Sequence, residues 1–205
     1  MALSQDNLST FTPTSQTQMV ILGTMASVSA RDVDGLNKDP EAFYYHDKRN
    51  HFWQILQLVF EPHNPPKKMK FRVEKEQYLS RWGVAMANII DTIEISEKQK
   101  KNPSDAVIFE AFQKGRVRFK TILPKFKRIL ITTPLFFTCA KDKKITELLQ
   151  GYFDHNKVAL DADKALHFLL TPTRCNPVER SLGWKIRMAK AGVSTPPVCV
   201  PSDFI

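Results

Sequence analysis

The sequence predicts an α/β domain with a mainly parallel sheet. Short apolar runs with strand character alternate with capped or amphipathic helical stretches along most of the chain, the pattern of parallel βαβ units. The 205 residues suit one domain with tails, well above the roughly 70 to 80 residues below which a core needs staples. Hydrophobic residues make up 42% and charged residues 25%, an ordinary balance for a globular protein. The longest apolar candidate, Ile129 to Ala140, is interrupted by Thr132, Thr133 and Pro134 and falls short of the ~18 to 20 residues of a membrane span.

Taken in order, residues 1–18 are polar and rich in Ser, Thr and Gln and read as a flexible leader. With no basic start and no apolar core, the leader does not read as a secretory signal. Gln18 to Leu22 enters Gly23 as a buried strand ending in a turn. Ser27 to Tyr45, with Gly35 and Pro40, reads as a long loop, and long ordered loops in compact domains are usually functional. Phe52 to Phe60 reads as a buried helix, and Glu61 to Lys70 is broken by Pro62, Pro65 and Pro66.

Val73 to Trp82 reads as a helix and Gly83 to Ile90 as a strand. Ser104 and Asp105 can cap a short helix reaching Gln113, and Phe119 to Phe126 reads as another. Arg128 to Phe137 reads as a strand carrying an awkward Pro134. Ile145 to Phe153 reads as a helix, and Ala165 to Leu170 as a strand leading into a Thr171-Pro172-Thr173 turn. Pro177 to Ala191 is the clearest amphipathic helix, with Leu182, Ile186, Ala189 and Val193 on the apolar line and Arg180, Lys185, Arg187 and Lys190 off it. The single domain is expected over residues 19–193, with a Pro-rich extended tail at 194–205. Parallel sheets bind ligands at the carboxyl ends of their strands, so the loops after Leu22 and Leu170 are the expected site loops.

Thirty Lys plus Arg against 21 Asp plus Glu leave a formal charge of +9, which favours a polyanionic partner such as nucleic acid or an acidic membrane surface. The basic residues are scattered, so a binding face must be assembled by folding. Cys139, Cys175 and Cys199 are widely spaced and include no CxxC pair. That excludes a zinc or iron–sulfur site of four cysteines and fits free thiols in a reducing cytoplasm.

One segment carries a more specific signal. Tyr44 to Trp53 reads YYHDKRNHFW, and ILGTM follows the first strand. Together these stretches resemble the uracil-DNA glycosylase superfamily, nearest to its hypoxanthine-DNA glycosylase-like branch, with a similar stretch in mismatch-specific uracil glycosylases. Members of that branch carry a Gly-Ser-Met-Pro-Gly turn, a Tyr-Tyr pair and then Asn-x-Phe-Trp. The likeness continues in order through RWGVAMANII at 81–90, the stretch from Arg128 to Cys139 and LLTPTRCN at 169–176. It implies a three-layer α/β/α sandwich around a mainly parallel sheet, and a monofunctional enzyme that flips a base out of DNA and hydrolyses its N-glycosidic bond. The partner implied is DNA, as a duplex with one base flipped or as a single strand. No cofactor, metal or membrane is expected, and the protein is expected to act as a cytoplasmic monomer.

The resemblance also assigns roles. Asn50 matches the branch's water-positioning asparagine, with capping of the following helix as its alternative use. Tyr45 matches the aromatic on which the flipped base stacks, while Phe52 and Trp53 read as core that holds Asn50. Gly23, Thr24 and Met25 form the turn beside the base, although Ala26 and Ser27 replace the family's Pro and Gly. Met25 stands where other glycosylase classes carry a catalytic asparagine, which favours Asn50 for that task. Asp47 stands where the family has proline, and a carboxylate there can help to activate water.

Thr138 takes the place of the base-reading asparagine, and Cys139 the place of the following glycine. The expected base is therefore not plain uracil, and a modified cytosine of bacteriophage DNA is one candidate, with an antiviral role. His46, Thr173, Arg174 and Asn176 are the expected DNA contacts, the last three ahead of a helix start that can hold phosphate. No lysine stands out beside the site, so no lyase step is expected. The alternatives are a repair glycosylase for uracil or hypoxanthine, an inactive DNA-binding relative, and a metal nuclease built on His46, Asn50 and His51.

Overall fold

The computed structural model describes residues 2–4, 14–24, 43–45, 49–100 and 105–196. Along the chain these form β1 (Ala2–Ser4), β2 (Met19–Gly23), α1 (Phe52–Phe60), α2 (Arg72–Arg81), β3 (Val84–Asn88), β4 (Ile90–Glu94), α3 (Glu97–Lys100) and α4 (Asp105–Gln113). They continue with β5 (Val117–Phe119), α5 (Pro124–Thr132), β6 (Leu135–Phe137), α6 (Lys143–His155), α7 (Ala162–Ala165), β7 (Leu166–Phe168) and α8 (Pro177–Lys190).

The central sheet has the order β3-β2-β6-β7, and every pairing in it is parallel. Side chains of a strand alternate between faces, and β2 uses both. Val20 and Leu22 join one core with Val107 and Ile108 of α4 and Leu148, Leu149 and Phe153 of α6. Met19 and Ile21 join a second core with Phe52, Ile55 and Leu56 of α1 and Trp184 and Met188 of α8. A sheet covered on both faces needs strands that are apolar throughout, which is why MVIL carries no polar residue. The result is the α/β/α sandwich expected. No helix among the described residues is long and apolar enough to cross a membrane.

A second sheet, β1-β4-β5, is antiparallel and was not anticipated. The run from Gly83 to Ile90 was read as a single strand. The parallel ladder ends at Asn88, and Ile90 opens β4 in the other sheet. Ala2–Ser4, inside the stretch read as a leader, pairs with Thr92 to Glu94. Gln18, at the leader's end, donates its backbone N–H to Gly83 O at 2.8 Å.

Two further expectations are corrected. The segment from Arg128 was read as a strand, yet α5 runs from Pro124 to Thr132 and only Leu135–Phe137 is extended. Pro124 occupies the first turn, where its missing N–H costs nothing. Pro134 disfavours helical backbone at Thr133 and so ends the helix. For the same reason Phe119 to Phe126 is not a helix: Phe119 closes β5 and Pro124 opens α5.

In α8 the apolar line was misplaced. Leu182 and Ile186 are exposed, and the buried side chains are Ser181, Trp184, Lys185 and Met188. Trp184 sets the rotation of the helix, because its large ring fills the core against Phe52 and its indole N–H donates to Leu170 O at 2.8 Å.

Candidate active site

The strand order reverses beside β2, which pairs with β3 on one side and with β6 on the other. The crevice beyond the carboxyl ends of the strands at such a switch is where open α/β sheets bind ligands. Gly23 ends β2, Asn88 ends β3, Thr138 and Cys139 follow β6, and Leu169 to Asn176 follow β7. Gly23 is glycine for want of room: a Cβ there would lie 2.7 Å from Asn88 Oδ1. The backbone oxygens of Gly23 and Thr24 accept from the N–H groups of Ile89 and Ile90 at 2.9 and 3.2 Å. The Thr24 hydroxyl stands 3.5 Å from Asp105 Oδ1 at the start of α4.

Tyr45 links two elements. Its ring stacks on Phe52 of α1, with centroids 3.9 Å apart and planes 8° apart. Its hydroxyl shares a 2.6 Å hydrogen bond with the Thr138 hydroxyl at the end of β6. Its backbone φ is +55°, a left-handed conformation uncommon outside glycine. Burial holds the phenol well above its ordinary range, so the hydroxyl stays protonated. The preceding turn is anchored behind it, where Trp53 donates its indole N–H to Tyr44 O at 3.0 Å.

Asn50 sits between α1 and the loop after β7. Its Oδ1 accepts the Phe52 N–H at 2.9 Å, and its Nδ2 donates to Thr173 Oγ1 at 3.3 Å. The backbones of Asn50 and Thr173 form an antiparallel bridge, and His51 N–H donates to Pro172 O at 2.9 Å. The expected turn at Thr171 to Thr173 is thus extended enough to pair. The amide orientation follows from chemistry, since only the oxygen can accept the Phe52 N–H. Asn50 therefore supplies the first free donor of α1 with an acceptor, although His51 is the residue at the cap position. An amide oxygen has a second lone pair, so this capping bond leaves Oδ1 able to accept from a water.

Two more of the expected contacts follow in the same loop. Arg174 is exposed, with φ of +53°. Asn176 caps α8, its Oδ1 accepting Val178 N–H at 3.0 Å, which gives that residue a structural task. Met25, His46 and Asp47 lie outside the described residues, as does nearly all of the Ser27 to Tyr45 loop. Among the described residues no group of three or more His, Cys, Asp or Glu is arranged to hold a metal.

Asn88 escaped the sequence reading, and Asp105 and Cys139 were given no task at the site by it. Asp105 was taken only as a helix cap, but its carboxylate reaches Thr24 and raises the proton affinity of both Tyr45 and Cys139. Cys139 is half-buried, and burial aided by Asp105 and Asp142 pushes its thiol up to about 12. It is therefore a neutral thiol rather than a nucleophile at neutral pH. Asn88 is buried against Gly23. A lone polar residue closing an apolar strand at its carboxyl end was the signal available for it.

No family model and no curated protein matches the sequence. Among solved structures, the chain is similar to a solution NMR structure from Methanosarcina acetivorans described as a putative uracil DNA glycosylase. The TM-score is 0.50 and the identity 14%, over 91% of this chain and 99% of that one. Likeness at that identity is likeness of fold: the two chains share a parallel α/β/α architecture over nearly their whole lengths.

Proposed function

We propose that this chain is a monofunctional DNA glycosylase of the uracil-DNA glycosylase superfamily, on the hypoxanthine-DNA glycosylase-like and mismatch-specific side of it. The observation that carries the reading is a meeting of parts. An oriented asparagine amide, a stacked tyrosine and a hydroxyl from the end of β6 lie around the switch of a parallel sheet. The fold around them is shared with the Methanosarcina protein.

In this reading a nucleotide is flipped from DNA into the crevice. Phe52 occupies one face of the Tyr45 ring, and the base takes the other. Asn50 Oδ1 accepts a hydrogen bond from the attacking water, and Asp47 assists. Water oxygen bonds to the sugar carbon as the bond to the base nitrogen breaks. The base leaves with the bonding electrons and is protonated, and an abasic site remains. Fixed dipoles that stabilise the cationic sugar and the departing anion supply much of the rate.

Thr138 holds the base-reading position, and its hydroxyl is tied to Tyr45. That pair suits a base other than plain uracil, and we favour a modified cytosine of bacteriophage DNA, with an antiviral role. Gly23, Thr24 and Met25 would frame the base. His46, Thr173, Arg174 and Asn176 would meet the DNA strand.

The test is incubation with chelator present on plain, uracil-containing, hypoxanthine-containing and phage-derived modified DNA, with abasic sites counted by an aldehyde-reactive probe. Abasic sites should appear on one of these DNAs without strand breaks, and Asn50→Ala should slow their formation by about a hundred- to a thousand-fold. A second reading, a DNA-binding relative without activity, draws on the fact that both polar atoms of the Asn50 amide already hold hydrogen bonds. Binding without abasic sites on any DNA would select it, and metal-dependent strand cleavage would overturn both.

A further inference from the structure

Between α1 and α2 the chain holds an exposed basic and aromatic strap to which neither the fold nor the site assigns a task. It contains Lys67, Lys68 and Lys70, all exposed, followed by Phe71, which is 54% exposed. An exposed aromatic ring beside three exposed lysines combines the two features that single-strand nucleic-acid binders use, a cationic track and a stacking platform.

The backbone of the strap is nevertheless held in place. The Gln57 amide, buried within α1, donates to Lys67 O and accepts Lys67 N–H, both at 2.9 Å. Glu74 Oε2 accepts the N–H groups of Lys70 and Phe71, both at 2.8 Å. A buried amide and a carboxylate thus fix the backbone, and Met69 packs inward against the second core, while the three lysines and Phe71 are left exposed.

The position of the strap supplies the rest of the argument. It begins beside Gln57, five residues or about 7.5 Å along α1 from Phe52. It ends at Arg72, whose guanidinium lies 5.3 Å from the centre of the Phe43 ring, two residues before Tyr45. The strap therefore runs along α1 toward the turn that carries the stacking tyrosine. Duplex DNA carries one phosphate charge per about 1.7 Å of axis, a density that three exposed lysines on a fixed backbone can meet.

We propose that Lys67, Lys68, Lys70 and Phe71 form a second DNA contact, which grips the strand flanking the flipped nucleotide. The lysines neutralise phosphates, and the Phe71 ring stacks on an unpaired or frayed base. The inference rests on the glycosylase reading of the site, and it names a surface that the resemblance did not.

The experiment measures fluorescence anisotropy on a labelled duplex carrying a tetrahydrofuran abasic analogue and on its single strand, across a salt series. The proteins compared are the full chain, the triple variant Lys67→Ser/Lys68→Ser/Lys70→Ser, Phe71→Ala and, as a control on α6, Lys143→Ser. The triple variant should flatten the log–log salt slope on duplex by about 0.9 per lysine and raise Kd at least about tenfold at low salt. Phe71→Ala should weaken single-strand binding by about fivefold or more with an unchanged slope. Lys143→Ser, an exposed lysine on α6 at the opposite face of the sheet, should bind like the parent. Unchanged thermal midpoints show that the exposed substitutions leave the fold intact.

Strap variants that bind DNA like the parent, with the same slope, overturn the inference even if base release persists. Strap-dependent binding without base release from any DNA keeps it and removes the glycosylase reading. A parent that binds no DNA overturns both. Loss of binding to phosphatidylserine–phosphatidylcholine vesicles in the strap variants, with DNA binding unaltered, assigns the strap to a membrane surface instead.

Discussion

Asn50 shows how one side chain serves two ends. Its oxygen accepts from the first turn of α1 and its nitrogen donates to Thr173, two bonds that favour one amide orientation, as the proposed water-positioning role requires. Gly23 is a second residue whose identity has a local cause. Gly23→Ala would bring a Cβ to 2.7 Å from the Asn88 amide oxygen, which is buried and cannot simply swing into solvent. Overpacking of that kind costs about 1 to 3 kcal/mol. The variant should melt several degrees lower by calorimetry, at roughly 2 to 4 °C per kcal/mol for a chain of this size. Combined with Asn88→Ala the loss should be less than additive, because the second change removes the atom that clashes.

The instructive elements are α1 and α8, which pack on one face of the sheet. In α1 only Gln54 is fully exposed, because the helix is wedged between the sheet, α2 and α8. The polar exception is Gln57, buried and satisfied by Trp53 and Lys67. In α8 the buried line runs through Trp184 and Met188 rather than through Leu182 and Ile186. Met188→Ala should therefore cost about 2 to 5 kcal/mol. Ile186→Lys should stay within about 0.5 kcal/mol of the parent. Urea unfolding followed by tryptophan fluorescence measures both, and the reverse order would mean that the helix sits on its other face.

For the whole molecule, the groups displaced by burial all point to sensitivity in alkali. The Cys139 thiol is raised from 9.0 to about 12 in the fold, and burial raises the Tyr45, Tyr78 and Tyr152 phenols from 10.0. Between those values the unfolded chain releases protons that the folded chain retains. The stabilisation is thus complete below about pH 9 and is lost as pH rises through the folded values. Thermal midpoints recorded between about pH 8 and 11 should fall with rising pH, and Cys139→Ala should flatten the first part of that fall. A midpoint independent of pH over this range would remove burial as the cause.

The alternation of strands and helices was legible because it depends on local pattern. β2, α1, α2, α6, β7 and α8 all lie where apolar runs and caps put them. Pro124 and Pro134 mark both ends of α5, but the β-branched run before Pro134 imitates a strand, and the competition was decided by helix packing at Leu130. The side sheet was hidden because β4 begins two residues after β3 ends, with no turn residue to separate them. At the candidate site, the family resemblance carried by Tyr44 to Trp53 pointed to Asn50 and Tyr45 within one short stretch of chain. Their partners Thr173 and Thr138 lie 123 and 93 residues away, and Asp105 meets Thr24 across 81. Local pattern by itself determined the class of fold, and the resemblance within one short segment supplied the candidate site. Which hydroxyl faces which ring, which face of α8 is buried and which loop the asparagine grips were decided only by tertiary structure, because those contacts depend on how distant segments pack around large side chains such as Trp184 and Phe52.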